Sequence, residues 1–223
     1  MRLIQNLLFA FAVLGVSGGA SGTPADPKSG AEYETLAQAQ STSPGAKVEV
    51  IEFFSYSCPH CKVFDPLLEA WVKKNADKVS FKRVHVAFNG PDAALQRAYL
   101  SLEAMGLTEK VHPKVFVAIH EENKRVNSDE AVFDLIEKNG VERAKFIGVY
   151  RSFGMQSAVN RAQALVGAYE ISQWPMIAIG GRYLTSPYFA GRSNPSLSTE
   201  LQQQQGALQI MDHLVAKAKA EKK

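Results

Sequence analysis

The sequence is poor in cysteine, and this limits what its cysteines can do. Among 223 residues only Cys58 and Cys61 are present, as a single C-x-x-C pair. Tetrahedral zinc needs four ligands, and no second C-x-x-C or H-x-x-x-H pair follows in the sequence to complete a site. A structural disulfide across so short a loop would remove little conformational entropy from the unfolded chain. We therefore interpret the pair as a redox-active dithiol, with half of a zinc site or a structural disulfide as the alternatives.

The sequence also lacks a strong charge bias and an internal repeat. The net charge is +3. The basic residues are spread along the chain, and they cluster only in the closing segment 217–223. This distribution gives no support to a nucleic-acid partner.

The apolar run near the amino terminus, Leu7–Val16, is too short to span a bilayer as a permanent helix. Because Arg2 precedes the run and small residues follow it, we expect residues 1–22 to form a secretory signal peptide, with a retained anchor as the alternative. Cleavage would leave the mature protein in an oxidising compartment, where disulfides persist.

The stretch from Val48 to Trp71 carries the clearest structural pattern. It begins with the β-branched and aromatic run VEVIEFF, which is typical of a buried strand. After Cys58 the apolar residues recur at spacings of three and four, as on one face of a helix: Val63, Phe64, Leu67, Leu68 and Trp71. The Cys58-Pro59-His60-Cys61 tetrad is therefore predicted to lie where a strand leads into a helix.

The start of a helix changes the chemistry of Cys58. The first turn leaves backbone N–H groups unpaired and carries the positive end of the helix dipole, so it favours a thiolate there. Pro59 suits the first helical position, since its missing N–H would have no partner in any case. His60, when protonated or donating a hydrogen bond, further stabilises negative charge on Cys58. Cys61 lies one turn on, close enough to close a small disulfide ring.

The rest of the chain falls into parts with different patterns. Residues 23–45 are rich in Pro, Gly, Ser and Ala and are expected to form an extended lead-in, whereas residues 92–170 show helical spacing with almost no strand-like alternation. The remaining expected elements are strands over Ser80–Phe88 and Trp174–Ile179, a hairpin turn at Gly180-Gly181, a returning strand over Arg182–Leu184, a polar loop over Thr185–Ser198 and a last helix over Leu201–Ala218.

Taken together, these features resemble the thioredoxin superfamily, and within it the periplasmic disulfide-bond-forming oxidoreductases (DsbA). The resemblance rests on VIEFFSYSCPHC at residues 50–61, KRVHV at residues 82–86, the long helical insertion, and Trp174-Pro175 followed by Gly181-Arg182-Tyr183. It implies an α/β thioredoxin-like fold, in which a central mixed β-sheet is flanked by helices and an all-helical domain is inserted. Residues 46–91 and 171–223 would form the thioredoxin-like domain, and residues 92–170 the insertion.

The resemblance also implies roles for residues around the tetrad. Cys58 would be the exposed sulfur that substrates attack and Cys61 the more buried resolving partner, the two forming the redox-active disulfide. Pro175 would be the cis-proline of the family, which faces this disulfide and offers backbone groups to a substrate. Trp174 stands where the best-known members carry a small β-branched residue, so substrate preference is expected to differ there.

A buried charged group is implied beneath the dithiol. Glu52 resembles the family residue that relays protons and tunes Cys61, and Asp65 and Arg83 would complete its network. Four histidines have no matching role and are expected to be structural or solvated: His85, His112, His120 and His213.

The function implied by the resemblance is a thiol:disulfide oxidoreductase that donates the Cys58-Cys61 disulfide to exported proteins with free thiols as they fold in the periplasm. A quinone-linked inner-membrane partner of the DsbB type would reoxidise it. We expect a monomer with no metal and no cofactor beyond the redox-active disulfide, and no nucleic-acid partner. Two alternatives stay open: a disulfide isomerase or reductase on the same fold, and a secreted binding module with a structural disulfide.

Overall fold

The structure is a computed structural model that describes residues 22–221. The expected signal peptide therefore lies, apart from its last residue, outside the described residues. From residue 22 onward the chain forms β1 (Glu34–Thr35), β2 (Val48–Phe54), α1 (Pro59–Lys74), β3 (Val79–His85), α2 (Gly90–Ala104), α3 (Thr108–His120), α4 (Asp129–Lys138), α5 (Arg143–Tyr150), α6 (Phe153–Ala168), β4 (Met176–Ile179), β5 (Tyr183–Thr185), α7 (Pro187–Ser193) and α8 (Glu200–Glu221).

The five strands form one mixed sheet in the order β1-β5-β4-β2-β3. β2 and β3 are parallel, because α1 carries the chain back across the sheet between them. The other neighbours, β2 with β4, β4 with β5 and β5 with β1, are antiparallel. This confirms the central mixed sheet with flanking helices that the family resemblance implies.

β2 lies inside the sheet and holds the start of the tetrad in place. Successive side chains of a strand point to opposite faces. Val48 and Val50 accordingly pack in the core that contains residues of α1 and α8, whereas Ile51 and Phe53 pack in the core formed with the helical insertion. Because both faces of the sheet are covered at β2, every residue of this strand is buried. The turn that leads to the tetrad therefore starts from a strand that is held in place by its packing.

The helices α2 to α6 connect β3 to β4 and cover one face of the sheet. Each contributes buried apolar side chains to a single core with β2, among them Leu95, Val115, Phe133, Phe146 and Val159. The helical character predicted for residues 92–170 is therefore confirmed. The assignment of these residues to a separate domain, and the division at residues 46–91 and 171–223, stay predictions.

Two segments for which the sequence predicts neither a helix nor a strand contain short regular elements. Glu34 and Thr35, inside the expected lead-in, pair with β5 and form the edge strand β1. The expected loop after β5 contains the short helix α7, in which the Ser186 hydroxyl accepts a hydrogen bond from the Phe189 N–H at 3.2 Å and Pro187 occupies the first turn. The prediction of a loop over Thr185–Ser198 was wrong, because capping rather than apolar periodicity defines α7. The extended lead-in over residues 23–45 stays a prediction, and β1 is a short stretch of extended chain within it that is defined by its pairing with β5.

The strand expected over Ser80–Phe88 is also shorter at its end. β3 stops at His85, and Asn89 caps α2 by accepting a hydrogen bond from the Asp92 N–H at 2.9 Å. The hairpin turn, in contrast, is as predicted, since Gly180 and Gly181 have φ of 61° and 72°. A side chain at Gly181 would place its Cβ 2.3 Å from the Gln40 carbonyl oxygen, so the turn requires glycine there.

Candidate active site

The tetrad begins at the junction between β2 and α1, as predicted. Cys58 is the N-cap of α1, and its Sγ accepts a hydrogen bond from the Cys61 N–H at 3.3 Å. Pro59 occupies the first helical turn, where no internal N–H is lost. The preceding turn is tied to the helical insertion because the Ser57 hydroxyl donates to Asp92 Oδ1 at 2.7 Å. The Cys58 sulfur therefore faces the unpaired N–H groups of a helix on a braced turn.

The two cysteines differ in accessibility. Both are free thiols in this structure, which thus describes the dithiol form. Cys58 is 8% exposed and Cys61 is 0% exposed. The ranking agrees with the expectation, but Cys58 is buried rather than exposed, and the Trp174 carbonyl oxygen lies 3.7 Å from its sulfur.

The environment separates the pKa values of the two thiols. A hydrogen bond from the Cys61 thiol lowers the pKa of Cys58 to about 7 from the ordinary 9.0, and the N–H groups of Cys61 and His60 and the charge of His60 act in the same direction against burial. Burial, followed by the hydrogen bond that its thiol makes with Cys58 and by the negative charge on Cys58, raises the pKa of Cys61 well above its ordinary range. The pair can thus hold one negative charge, and it resides on Cys58.

Trp174 and Pro175 face the dithiol from the loop before β4. Their peptide bond is cis, as the resemblance implied. The Cys58 thiol lies 3.7 Å from the Trp174 carbonyl oxygen and is oriented to donate to it. The Trp174 indole stacks on Phe88, with ring centroids 5.1 Å apart and planes 7° from parallel. Phe88, which the sequence did not single out, is 58% exposed and extends the apolar surface beside the sulfur.

Glu52 forms the buried charge network that the resemblance implied. Arg83 donates from Nε to Glu52 Oε2 and from Nη2 to Asp65 Oδ1, each at 2.8 Å. Burial raises the pKa of Glu52 to about 7 from the ordinary 4.5, and the Arg83 charge offsets only part of this because Asp65 shares the same guanidinium. Arg83 therefore pairs with two buried carboxylates, Glu52 and Asp65. The negative charge of Glu52 also contributes to the raised pKa of Cys61.

A model of the DSBA-like thioredoxin domain matches residues 49–201. The chain belongs to this family. The DsbA thiol:disulfide interchange protein of Burkholderia cepacia is 37% identical over 223 residues, with 99% of each chain covered. The homologue of the same name from Bordetella parapertussis is 41% identical over 179 residues, covering 80% of each chain.

Solved structures agree with this assignment. Pseudomonas aeruginosa DsbA superimposes with a TM-score of 0.77 at 32% identity, covering 86% of this chain and 95% of that one. A complex of Proteus mirabilis DsbA with the non-covalently bound peptide PWATCDS gives a TM-score of 0.72 at 25% identity, covering 86% and 100%. The chain is thus a thiol:disulfide oxidoreductase with a DsbA-like thioredoxin fold, and its C-x-x-C pair is Cys58 and Cys61.

Three histidines of this DsbA-like protein converge on Tyr56, a residue that the sequence did not single out. The Tyr56 N–H donates to His85 Nε2 at 3.1 Å, its hydroxyl lies 2.9 Å from His112 Nδ1, and its carbonyl oxygen is 2.8 Å from His120 Nε2. Burial lowers the pKa of His85 to about 3 and also lowers that of His112. These three contacts hold the turn that carries the tetrad, while the purely structural role expected for the histidines stays a prediction.

His112 joins this cluster to the charge network. Its other ring nitrogen, Nε2, lies 3.1 Å from Asp65 Oδ1. A neutral imidazole has one donor and one acceptor nitrogen, so the Tyr56 hydroxyl donates to Nδ1 and Nε2–H donates to Asp65. The ring therefore fixes Asp65 without adding a second cation beside Arg83.

His60 points towards α8, which the sequence did not indicate. Its Nδ1 lies 2.7 Å from Glu200 Oε1. A cavity of about 320 Å³ opens beside this pair, and its lining includes Pro175 and Tyr188. Pro59 and His60 thus lie beside Cys58, as the tetrad predicts, and Trp174 and Pro175 do so as the resemblance implies, while the individual roles of these residues stay predictions.

Within residues 22–221 no group of three or more His, Cys, Asp or Glu side chains is arranged to hold a metal ion. In the same part of the chain, every helix is too short or too polar to cross a membrane.

Proposed function

We propose that this oxidoreductase works as a dithiol oxidase, which donates the Cys58-Cys61 disulfide to exported proteins as they fold. The observation that carries the proposal is the asymmetry of the pair. Cys58, at the helix start, has its pKa lowered to about 7, whereas the pKa of buried Cys61 is raised. Stabilising the thiolate stabilises the dithiol protein relative to the disulfide protein, so electrons flow from substrate thiols to this pair.

The reaction proceeds in two exchanges. A substrate thiolate attacks the Cys58 sulfur of the oxidised protein, the Cys58-Cys61 bond breaks, and Cys61 leaves with the bonding electron pair. A second substrate thiolate then attacks the substrate sulfur of the mixed disulfide, and Cys58 leaves as the thiolate. The substrate loses two electrons and gains a disulfide, while the protein becomes a dithiol. The low pKa of Cys58 speeds the second exchange, because a more stable thiolate is a better leaving group.

The magnitude of the thiolate effect is substantial. A pKa of about 7 instead of 9.0 at Cys58 is worth about 3 kcal/mol once the thiolate is fully ionised. For a two-electron couple this corresponds to about 60 mV towards a more oxidising potential. Pro59 and His60 contribute to this effect in the proposal, Pro59 by starting the helix and His60 by its positive charge.

Glu52 supplies the proton that Cys61 needs in the first exchange. Cys61 leaves as a buried thiolate of high pKa and has to be protonated. Glu52 has a pKa of about 7, so it is substantially protonated at neutral pH and can release a proton there. Its ionised form is then held by Arg83 at 2.8 Å. We assign Glu52 the role of a proton donor that acts in the buried site beneath the dithiol.

The substrate segment binds beside Trp174 and Pro175. The Trp174 carbonyl oxygen already lies 3.7 Å from the Cys58 sulfur, which places the loop backbone next to the reacting atom. The DsbA of Proteus mirabilis binds a peptide that contains a cysteine, and an extended segment with a cysteine is the corresponding ligand here. The stacked rings of Trp174 and Phe88 add an apolar surface for the residues that flank this cysteine.

The remaining expectations complete the proposal. Residues 1–22 direct the chain to the periplasm, where it acts as a monomer on proteins with free thiols and uses no cofactor besides its own disulfide. A quinone-linked inner-membrane protein of the DsbB type accepts the electrons and restores the disulfide. The thioredoxin-like domain at residues 46–91 and 171–223 carries the chemistry, and the insertion at residues 92–170 covers it.

The reduction potential tests this proposal. Equilibration with glutathione buffers should give a potential well above the value of about −270 mV found for thioredoxin. A potential at or below that value would favour a reductase on the same fold. Cys58→Ala serves as the control: it should abolish oxidation of substrate dithiols, whereas unchanged activity would show that the dithiol is not the oxidant.

A further inference from the structure

Glu200 approaches the reactive tetrad from the far end of the chain. It lies in the first turn of α8, and its Oε1 is 2.7 Å from Nδ1 of His60, the residue between Pro59 and Cys61. We propose that Glu200 is a positioning residue of the redox site, which orients the His60 ring and keeps it protonated so that its charge stabilises the Cys58 thiolate. The inference rests on the proposed function and adds to it a residue that acts through His60.

The fold holds this carboxylate in place. α8 is anchored against α1, because the Trp71 indole donates to Asp212 Oδ1 at 2.8 Å and both helices contribute to one buried core. One turn after Glu200, Gln204 donates from Nε2 to the same Oε1 at 3.4 Å. Gln204 is itself buried. The position of Glu200 is therefore set by the packing of α8 and not by its side chain alone.

The charged groups around His60 favour its protonated form, and only the partial burial of the ring opposes it. The hydrogen bond with Glu200 raises the pKa of His60, and the charges of Glu200 and of the Cys58 thiolate add to the effect. α7 contributes Tyr188 to the cavity beside the ring. The neighbouring cation of α1, Lys62, is engaged elsewhere, with its Nζ 2.7 Å from Glu121 Oε1. Glu200 is thus the carboxylate that holds the imidazolium.

The contact between Glu200 and His60 is expected to change the pKa of Cys58 and to add little to the folding stability. The side chains of His60 and Glu200 are 69% and 47% exposed, and exposed ion pairs contribute little to folding. The charge of His60, however, lowers the pKa of Cys58. Glu200 therefore widens the pH range over which the helix start carries this extra positive charge, and the titration of two groups, His60 and Cys58, reports its action.

The test compares two variants of the full chain. Glu200→Gln removes the carboxylate that holds His60. Glu121→Gln removes an exposed carboxylate that also pairs with α1, but through Lys62 and without contact to His60. Both variants lose one negative charge, so any difference between them reports the contact with the ring and not the general field.

NMR titration of the His60 ring, identified by its loss in His60→Asn, is the first readout. The pKa of His60 should fall in Glu200→Gln towards the ordinary 6.5 and should change less in Glu121→Gln. Titration of the thiolate absorbance is the second readout: the Cys58 pKa should be higher in Glu200→Gln than in Glu121→Gln. In a His60→Asn background the two substitutions should have equal effects on Cys58, because the ring through which Glu200 acts is absent.

The outcomes separate this inference from the proposed function. An unchanged His60 pKa in Glu200→Gln, or equal shifts in both variants, would overturn the role of Glu200 even if the wild-type potential is strongly oxidising. A wild-type potential like that of thioredoxin would overturn the oxidase function whatever the His60 titration shows. A difference at Cys58 that persists without the ring would also overturn the inference, since Glu200 would then act directly on the sulfur.

Discussion

Replacing Glu52 with glutamine should remove a pH dependence from the folding stability of this protein. The pKa of Glu52 is raised by burial from 4.5 to about 7 in the folded protein. Glutamine keeps the shape and an oxygen acceptor for Arg83 but does not titrate. The comparison of the two proteins therefore isolates the free energy of ionising one buried carboxyl.

The sign follows from proton binding. Between pH 4.5 and about 7 the folded protein holds a proton at Glu52 that the unfolded chain releases. Wild-type stability relative to Glu52→Gln is therefore greatest below pH 4.5 and declines as the pH rises through the folded pKa. A shift from 4.5 to about 7 corresponds to about 3 kcal/mol of stability that the wild type loses and the variant keeps.

Urea unfolding of the dithiol form, followed by circular dichroism at pH values below 4.5 and above 7, measures this difference. Asp77→Asn, which removes an exposed carboxylate on the turn between α1 and β3, serves as the control for the loss of one carboxylate. If the free energies of unfolding of wild type and Glu52→Gln differ by the same amount at both pH values, Glu52 does not titrate between them, and the proton-donor role is refuted.

Three further outcomes are expected. Burial lowers the pKa of His85 to about 3 in the folded protein, so the unfolded chain binds a proton at this residue below pH 6.5 and the folded protein does not. Urea unfolding should therefore show that the wild type loses about 1.4 kcal/mol of stability per pH unit relative to His85→Gln as the pH falls below 6.5. A difference that stays constant with pH would contradict this. Cys61→Ala, mixed with substrates that contain a disulfide, should give mixed disulfides at Cys58 on non-reducing gels, because the Cys58 thiolate attacks the substrate disulfide, one substrate thiolate leaves, and no internal thiol then releases the other; a lack of adducts would exclude Cys61 as the resolving thiol. Phe88→Ala should lower kcat/KM about two- to tenfold for peptides with an aromatic residue beside the cysteine. Phe153→Ala, which removes another exposed phenylalanine, should leave kcat/KM unchanged. Equal losses in the two variants would argue against a role of the Trp174 and Phe88 rings in peptide binding.

The elements that the sequence predicts well are those with a strong local pattern. β2 and α1 could be predicted because a continuous apolar run passes into a helical spacing at Cys58. β1, with two residues, could not, because only its pairing with β5 defines it as a strand. α7 carried a usable signal in Ser186 and Pro187, an N-cap residue followed by proline, but the polar residues and prolines of the surrounding stretch Thr185–Ser198 pointed to a loop.

The same distinction applies to the site. Cys58, Cys61 and Pro175 follow from short motifs. Glu200 does not, because it lies 140 residues from His60 in the sequence and is brought to it only by the packing of α8 on α1. His112 reaches Tyr56 across 56 residues for a similar reason. Contacts of this kind depend on the assembled fold, and a single sequence carries no local signal for them.

The titration of Cys58 tests the central claim most directly. The thiolate absorbance of the dithiol protein, recorded as a function of pH with Cys58→Ala as the blank, gives the pKa of Cys58, the sulfur that substrates attack and that leaves in the second exchange. The hydrogen bond from Cys61, the helix start and the charge of His60 together predict a value of about 7. A value near the ordinary 9.0 would mean that the helix start does not stabilise the thiolate, and the proposed oxidase mechanism would then be wrong.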